Sequence, residues 1–213
     1  PIAAAAVFVI SFVFFNDPVA TADYDEVYKA LENVKNVHIK TIDPTNNKVI
    51  QDIWISRELD LKVIKTGYNI DAWYIDEKLK LSGSTESGNW KESKLNADTV
   101  RLVSQTMQVP WSLVPFKTIA DLPEGATWRV INKNDPDAEI DIYEIRWSEK
   151  LIPSGQTHKK WIGEINRLTF LPRRIEWWEK SGDEDDYSLA NIKEVKYPDI
   201  ERVNEVLNEL KIE

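Results

Sequence analysis

Cysteine is absent from the 213 residues, which excludes disulfides, thiol catalysis and thiolate metal sites. Histidine occurs only twice. His38 sits in a strand-like stretch and His158 in a polar loop, and neither belongs to an HExxH or related spacing, so no histidine-based metal site is expected. Glycine is also scarce, with 7 residues. No G-x-x-x-x-G-K-[ST] or G-x-G-x-x-G run is present to cradle phosphate. Serines occur without a G-x-S-x-G elbow and without a histidine placed for a triad. Positive charge is in the minority: 27 basic against 36 acidic residues give a net charge of −9. Such a surface repels phosphate backbones, and no basic stripe interrupts it, so nucleic acid is not an expected partner.

Carboxylates are plentiful: Asp71, Asp76, Glu77, Asp135, Asp137, Glu139, Asp141, Glu144 and the run Asp183–Asp186. Two of them about 5–10 Å apart would suit a glycosidase acting on an envelope polymer. Most alternate with apolar residues, however, as the solvated face of a sheet does. The acidic run lacks the D-x-D-x-D-G spacing of a calcium loop. Nothing in these patterns supports catalysis, a metal or a cofactor.

What is present is a folded, aromatic-rich chain, 42% hydrophobic and 30% charged. The first segment, PIAAAAVFVISFVFF (Pro1–Phe15), carries no charge. It is shorter than the roughly 20 residues that span a bilayer. Three readings fit it: the end of a transmembrane or signal-anchor helix, the apolar part of a signal peptide with VATAD resembling a cleavage site, or a buried element of the folded domain. The first two place the rest of the chain outside the cytoplasm. Residues 16–23 then form a linker, and residues 24–213 one domain.

DYDEVYKALENVKN (Asp23–Asn36) has Tyr24, Val27, Tyr28, Leu31 and Val34 at helical spacing. The period then drops to two. About ten strands follow, joined by short turns, which favours antiparallel neighbours. NADTVRLVSQTMQ interrupts them with a helix capped by Asn96 or Asp98, presenting Val100, Val103 and Met107 on one side. The apolar, proline-broken VPWSLVPF comes next. PDIERVNEVLNELKIE closes the chain as a third helix. Strands and helices are segregated, so the expected class is α+β: a large curled antiparallel sheet, an open and incomplete β-barrel, capped by helices and preceded by an apolar N-terminal helix.

Trp177 and Trp178 are adjacent on one of these strands and must face opposite sides of the sheet. Nine tryptophans are many for this length. Trp54, Trp73, Trp90, Trp128, Trp147, Trp161, Trp177 and Trp178 fall on strands, and Trp111 falls in the proline-broken loop. Each can bury about 150–250 Å², so they dominate whatever they line. A tryptophan-rich solid core is one reading. An apolar groove between sheet and loop is the other, with Met107, Trp111, Leu113 and Phe116 on its movable side.

The stretch KKWIGEINRLTFLPRRIEWWEKSGDEDDYSLANIKEVKYPD resembles the outer-membrane lipoprotein carrier (LolA) superfamily and its RseB-type sensor relatives. Trp161, Leu168, Thr169, Leu171, Pro172, Arg174 and Glu176 match the pattern W-x-D-x-x-T-x-L-P-x-R-x-E, and the similarity runs from Tyr24 to Asp199. The glycines usual around the Leu-Pro turn and a lipobox cysteine are not among the residues. The resemblance implies an open β-barrel under helices whose cavity accepts acyl chains without covalent chemistry. It implies a lipid or acylated-protein ligand, a membrane contact through the N-terminal segment, a partner protein, and roles in lipoprotein handling or anti-sigma-type envelope sensing. Trp54, Trp73, Met107, Trp111, Phe116, Trp161 and Arg174 are the expected ligand-binding residues, with Arg174 meeting a head group. A solid-cored interaction module is the alternative.

Overall fold

The computed structural model describes residues 18–108, 113–132, 139–151, 155–182 and 186–210, with side chains of the first helix from Tyr24 onward. The apolar segment Pro1–Phe15, Trp111 and the acids Asp135, Asp137 and 183–185 lie outside the described residues.

Strands β1 (Asn36–Asp43), β2 (Lys48–Ser56), β3 (Leu61–Thr66), β4 (Asn69–Tyr74), β5 (Leu79–Ser84) and β6 (Trp90–Lys94) form a meander. Strands β7 (Thr127–Val130), β8 (Ile140–Leu151), β9 (Gly155–Asn166), β10 (Pro172–Ser181) and β11 (Ser188–Lys196) form a second. Pairing of β1 with β11 joins them into one open, curled, antiparallel sheet of 11 strands, ordered β6-β5-β4-β3-β2-β1-β11-β10-β9-β8-β7. Helix α1 (Pro18–Asn33) precedes the sheet, α2 (Ala97–Gln108) links the two meanders, and α3 (Ile200–Glu209) ends the described chain. Helix α1 starts at Pro18 rather than Asp23, so it takes in most of the expected linker. Proline suits a first turn because it has no N–H to leave unsatisfied there. Asn96 does cap α2, its side-chain oxygen accepting from the N–H of Thr99.

Because β6 and β7 are opposite edges of the sheet, the chain between them must cross one face of it. The described residues of the crossing segment, 95–108 and 113–126, take the face that α1 occupies. Leu113 and Val114 are buried there with Tyr24, Val27, Tyr28 and Leu31 of α1, and with Ile39, Tyr143, Ile145, Trp147, Trp161, Ile165, Ile175 and Val195 of the sheet. Cross-strand register places these strand residues on one side: Ile39 is paired with Val195, Ile175 with Gly163, and Gly163 with Tyr143.

The same register puts a second core on the other side. His38 pairs with Trp54, Trp54 with Val63, Val63 with Ala72 and Ala72 with Leu81. Leu61, Val63, Ile70 and Ala72 are buried on that side, packed with Trp54, Tyr74, Leu81, Trp90 and with Leu207 and Leu210 of the C-terminal helix region. One sheet therefore buries its α1 face over β1 and β7–β11 and its α3 face over β2–β6. A single inner side under all three helices would be the simpler arrangement, but the apolar alternation changes phase between the two meanders.

Trp177 and Trp178 follow from this. Trp177 packs against the α1-face core. Trp178 lies on the other face, its indole N–H donating to Glu176 and its ring beneath the Lys160 ammonium, 3.9 Å from the centroid. The remainder of the α3 face over β7–β11 mixes Ile142, Ile162 and buried Ile192 with ion-paired side chains. Glu144, buried, accepts from Arg129 at 2.9 Å and from Arg146 at 3.0 Å, and the two guanidiniums hold its carboxyl below the usual range despite burial. Arg174 pairs with Glu176 on this side.

Each core also has a tryptophan lying flat on a glycine. The Trp161 ring covers Gly163, and the Trp90 ring covers Gly83. A Cβ at either glycine would overlap the ring. Gly163→Ala is therefore expected to destabilise the fold by about 1–3 kcal/mol through overpacking. Chemical denaturation checks this, and an unchanged unfolding midpoint would contradict the packing described.

Candidate functional site

Three hydrogen bonds tie down the part of the crossing segment from Leu113 to Ile119. The Trp161 indole donates to the Leu113 carbonyl at 3.0 Å. The Tyr24 hydroxyl donates to the Phe116 carbonyl at 3.1 Å, and the Asp25 carboxylate accepts from the Ile119 N–H at 3.2 Å. Burial raises the Tyr24 phenol well above its ordinary range, so it stays a donor throughout physiological pH. Trp161 is fully buried and meets Tyr24 edge-on, with ring centroids 6.3 Å apart. It acts as the peg on which the segment hangs.

Beyond this peg the packing loosens in two directions. Toward β2–β4, the α1 face carries Ile53, Ile55, Ile64 and Trp73, all half-buried. Their common side follows from Ile39 pairing with Ile53, Ile53 with Ile64, and Lys62 with Trp73. Among the described residues, Ile53 packs against the α1 core and the C-terminal end of α2 is tied over this part of the sheet. Lys62 donates to the Thr106 hydroxyl at 2.9 Å, and the Arg57 guanidinium donates to the Met107 carbonyl at 3.1 Å. Met107 is buried, while Val103 is half-buried and Leu102 is 61% exposed. The helix is moored at its C-terminal end and covers the apolar floor incompletely.

Toward the β8–β9 hairpin, three rings run in file: Phe116 meets Trp147 edge-on at 5.2 Å, and Trp147 meets Trp177 edge-on at 6.1 Å. Trp177 is the cross-strand partner of Asn191, and Ile175 that of Lys193. The Trp177 indole N–H and the Asn191 side-chain oxygen are both buried without a hydrogen-bond partner. The Lys193 ammonium lies 5.9 Å from the centre of the Trp177 ring, and burial pushes its amine down to about 8. Buried polar groups in folded proteins are nearly always bonded, so two orphans on one cross-strand pair call for an explanation.

The expected site residues are thus divided. Phe116 is one end of the aromatic file, Trp73 belongs to the floor, Met107 is buried at the end of α2, and Trp161 is internal to the core. Trp73 also carries the Lys80 ammonium 4.9 Å above its ring. Trp54 and Arg174 lie on the opposite face. Trp54 is stacked on His38, with centroids 3.8 Å apart, and Arg174 is engaged by Glu164 and Glu176. Its register with Glu194 and Glu164 places Arg174 on the α3 face. Trp147, Trp177, Asn191 and Lys193 were not among the expected set. Asn191 and Lys193 alternate with Ile192 in LANIKEV, and that pattern conceals which side is internal. Among the described residues no three metal-ligating side chains converge, and no helix is long and apolar enough to cross a membrane.

No protein-family model matches the chain, and no curated protein matches it. Among solved structures it is similar to LprF from Mycobacterium bovis, at 9% identity and a TM-score of 0.47, over 86% of this chain and 97% of that one. It is also similar to the lipoprotein LppX of Mycobacterium tuberculosis, at 13% identity and a TM-score of 0.39, over 85% and 94% of the two chains.

The Lys193 environment has a pH signature. Its amine loses its proton near 8 in the folded state and near 10.5 when unfolded. Below pH 8 the folded protein bears the cost of a buried ammonium. Between those values the unfolded chain binds more protons, so stability contributed by this group rises with pH. Lys193→Met removes the cost. The variant is expected to exceed the parent in stability by up to about 3 kcal/mol at pH 7, with the gap narrowing toward pH 10. Urea unfolding across that range checks it, and parallel pH profiles would contradict it.

Proposed function

We propose that the chain is a non-enzymatic binding domain whose α1 face takes up a long apolar chain, such as the acyl tail of a lipid or of an acylated protein. The observation that carries this reading is the apolar floor of Ile53, Ile55, Ile64 and Trp73. It continues the closed core through Ile53, yet its residues remain half-buried among the described residues. Burying a methylene gains roughly 0.8 kcal/mol, so a chain of ten or more offsets the several kcal/mol lost on association. No covalent step is involved. Phe116 and the end of α2 move aside, and the hydrogen bonds to Leu113, Phe116 and Ile119 are modest individually, about 1 kcal/mol each. The edge of the crossing segment therefore opens without unfolding the sheet.

The reading includes a place outside the cytoplasm, which the uncharged sequence Pro1–Phe15 supports. The chemistry serves either carriage of an acylated protein or sensing of one upstream of an anti-sigma-type regulator. A solid-cored interaction module predicts the opposite behaviour toward apolar probes. Titration with a fluorescent fatty-acyl probe is expected to saturate at one site, and Ile64→Asp should weaken uptake about tenfold or more by placing a charge on the floor. Linear, unsaturable partitioning, or a titration unaffected by Ile64→Asp, would support the solid core instead.

A further inference from the structure

The orphaned pair on β10 and β11 says what the apolar chain carries at its end. Resting on the binding reading above, we propose that Trp177 and Asn191 form a polar anchor that selects apolar ligands ending in a hydroxyl group. Trp177 offers one N–H donor and no acceptor, whereas the orphaned Asn191 oxygen is an acceptor. The two are cross-strand partners on the α1 face, yet neither bonds the other.

A methyl end satisfies neither group, and an ether or ester oxygen satisfies only the indole. A hydroxyl satisfies both at once, because it accepts from Trp177 and donates to Asn191. The register shift beside Trp177 leaves Ala190 of β11 as the extra residue, directly next to Asn191, and bulges are over-represented next to functional sites. On one side the anchor is bordered by Trp147 and Trp161, with Ile175 its fully buried neighbour on the strand, and on the other by the Lys159–Glu179 ion pair. A hydrogen bond is worth more in such a setting than at the surface, and an unmade one costs more. The Lys193 side chain beside the Trp177 ring adds positive character, which favours the lone pairs of the ligand oxygen.

The test uses the full chain and three probes that share a twelve-carbon chain: dodecane, the methyl ether of dodecan-1-ol, and dodecan-1-ol. Each displaces the same fluorescent acyl probe. The expected order is alcohol above ether above alkane, with the alcohol about 5- to 30-fold tighter than the alkane for two hydrogen bonds of ordinary net strength. Asn191→Leu should erase the alcohol-to-ether ratio, and Trp177→Phe the ether-to-alkane ratio. Thermal unfolding of each variant reports its folding, and the two variants are read independently. Equal affinity for all three probes overturns the anchor while leaving apolar binding intact. Equal affinity for alcohol and ether overturns the part assigned to Asn191. If none of the three displaces the acyl probe, both the anchor and the binding reading fail.

Discussion

The placement of β6 and β7 at opposite edges of the sheet is the constraint on which the rest of the molecule depends. A connection between two edges cannot stay at the rim. It must traverse a face, and a face buried under irregular chain needs every backbone group of that chain bonded or solvated. The protein meets this demand with three anchors from outside the segment: the Trp161 indole, the Tyr24 hydroxyl and the Asp25 carboxylate. The anchors cluster at the α1 end, between Leu113 and Ile119. Among the described residues, the other end of the crossing is held by the Leu95 N–H on the Lys78 carbonyl and by the Lys62 and Arg57 contacts near Thr106 and Met107. One connection is thereby firm over one half of the sheet and loose over the other. The apolar floor of β2–β4 lies under the loose half.

The second consequence concerns the two faces. With α1 and the crossing segment committed to one side, the β2–β6 meander needs a separate cover for its apolar alternate residues, and α3 supplies it. Val203 and Val206 are buried, and Asp199 caps the helix by accepting from the Arg202 N–H. Across the β1–β11 seam the ion-paired side of one meander adjoins the apolar side of the other. His38 stands at this boundary, stacked on Trp54 and bonded to Asp52. The tryptophans are therefore distributed between two cores and an ion-paired sheet face rather than lining one hollow.

Much of the architecture was legible in the sequence because period two is a direct imprint of a sheet with one covered side. The hairpins, the Asn96-capped helix and the opposed directions of Trp177 and Trp178 all follow from local spacing. Which side each meander buries did not follow, because alternation fixes relative orientation only within a strand. Only the cross-strand pairs relate one strand to the next: Arg174 pairs with Glu194, Glu194 with Lys40 and Lys40 with Asp52, which puts Arg174 on the same face as Trp54. Asn191 and Lys193 were hidden for a related reason. A polar residue on the covered side of a strand reads as a solvated one until its partner strand is known.

The account stands or falls on where an apolar chain sits. Intermolecular NOEs between the methylenes of a bound, isotope-labelled acyl chain and assigned side chains locate it directly. The account predicts contacts to Ile64, Trp73 and the Trp177 indole, all on the α1 face. Contacts confined to Trp54, Leu207 and the α3 face, or none to any internal residue, would contradict it.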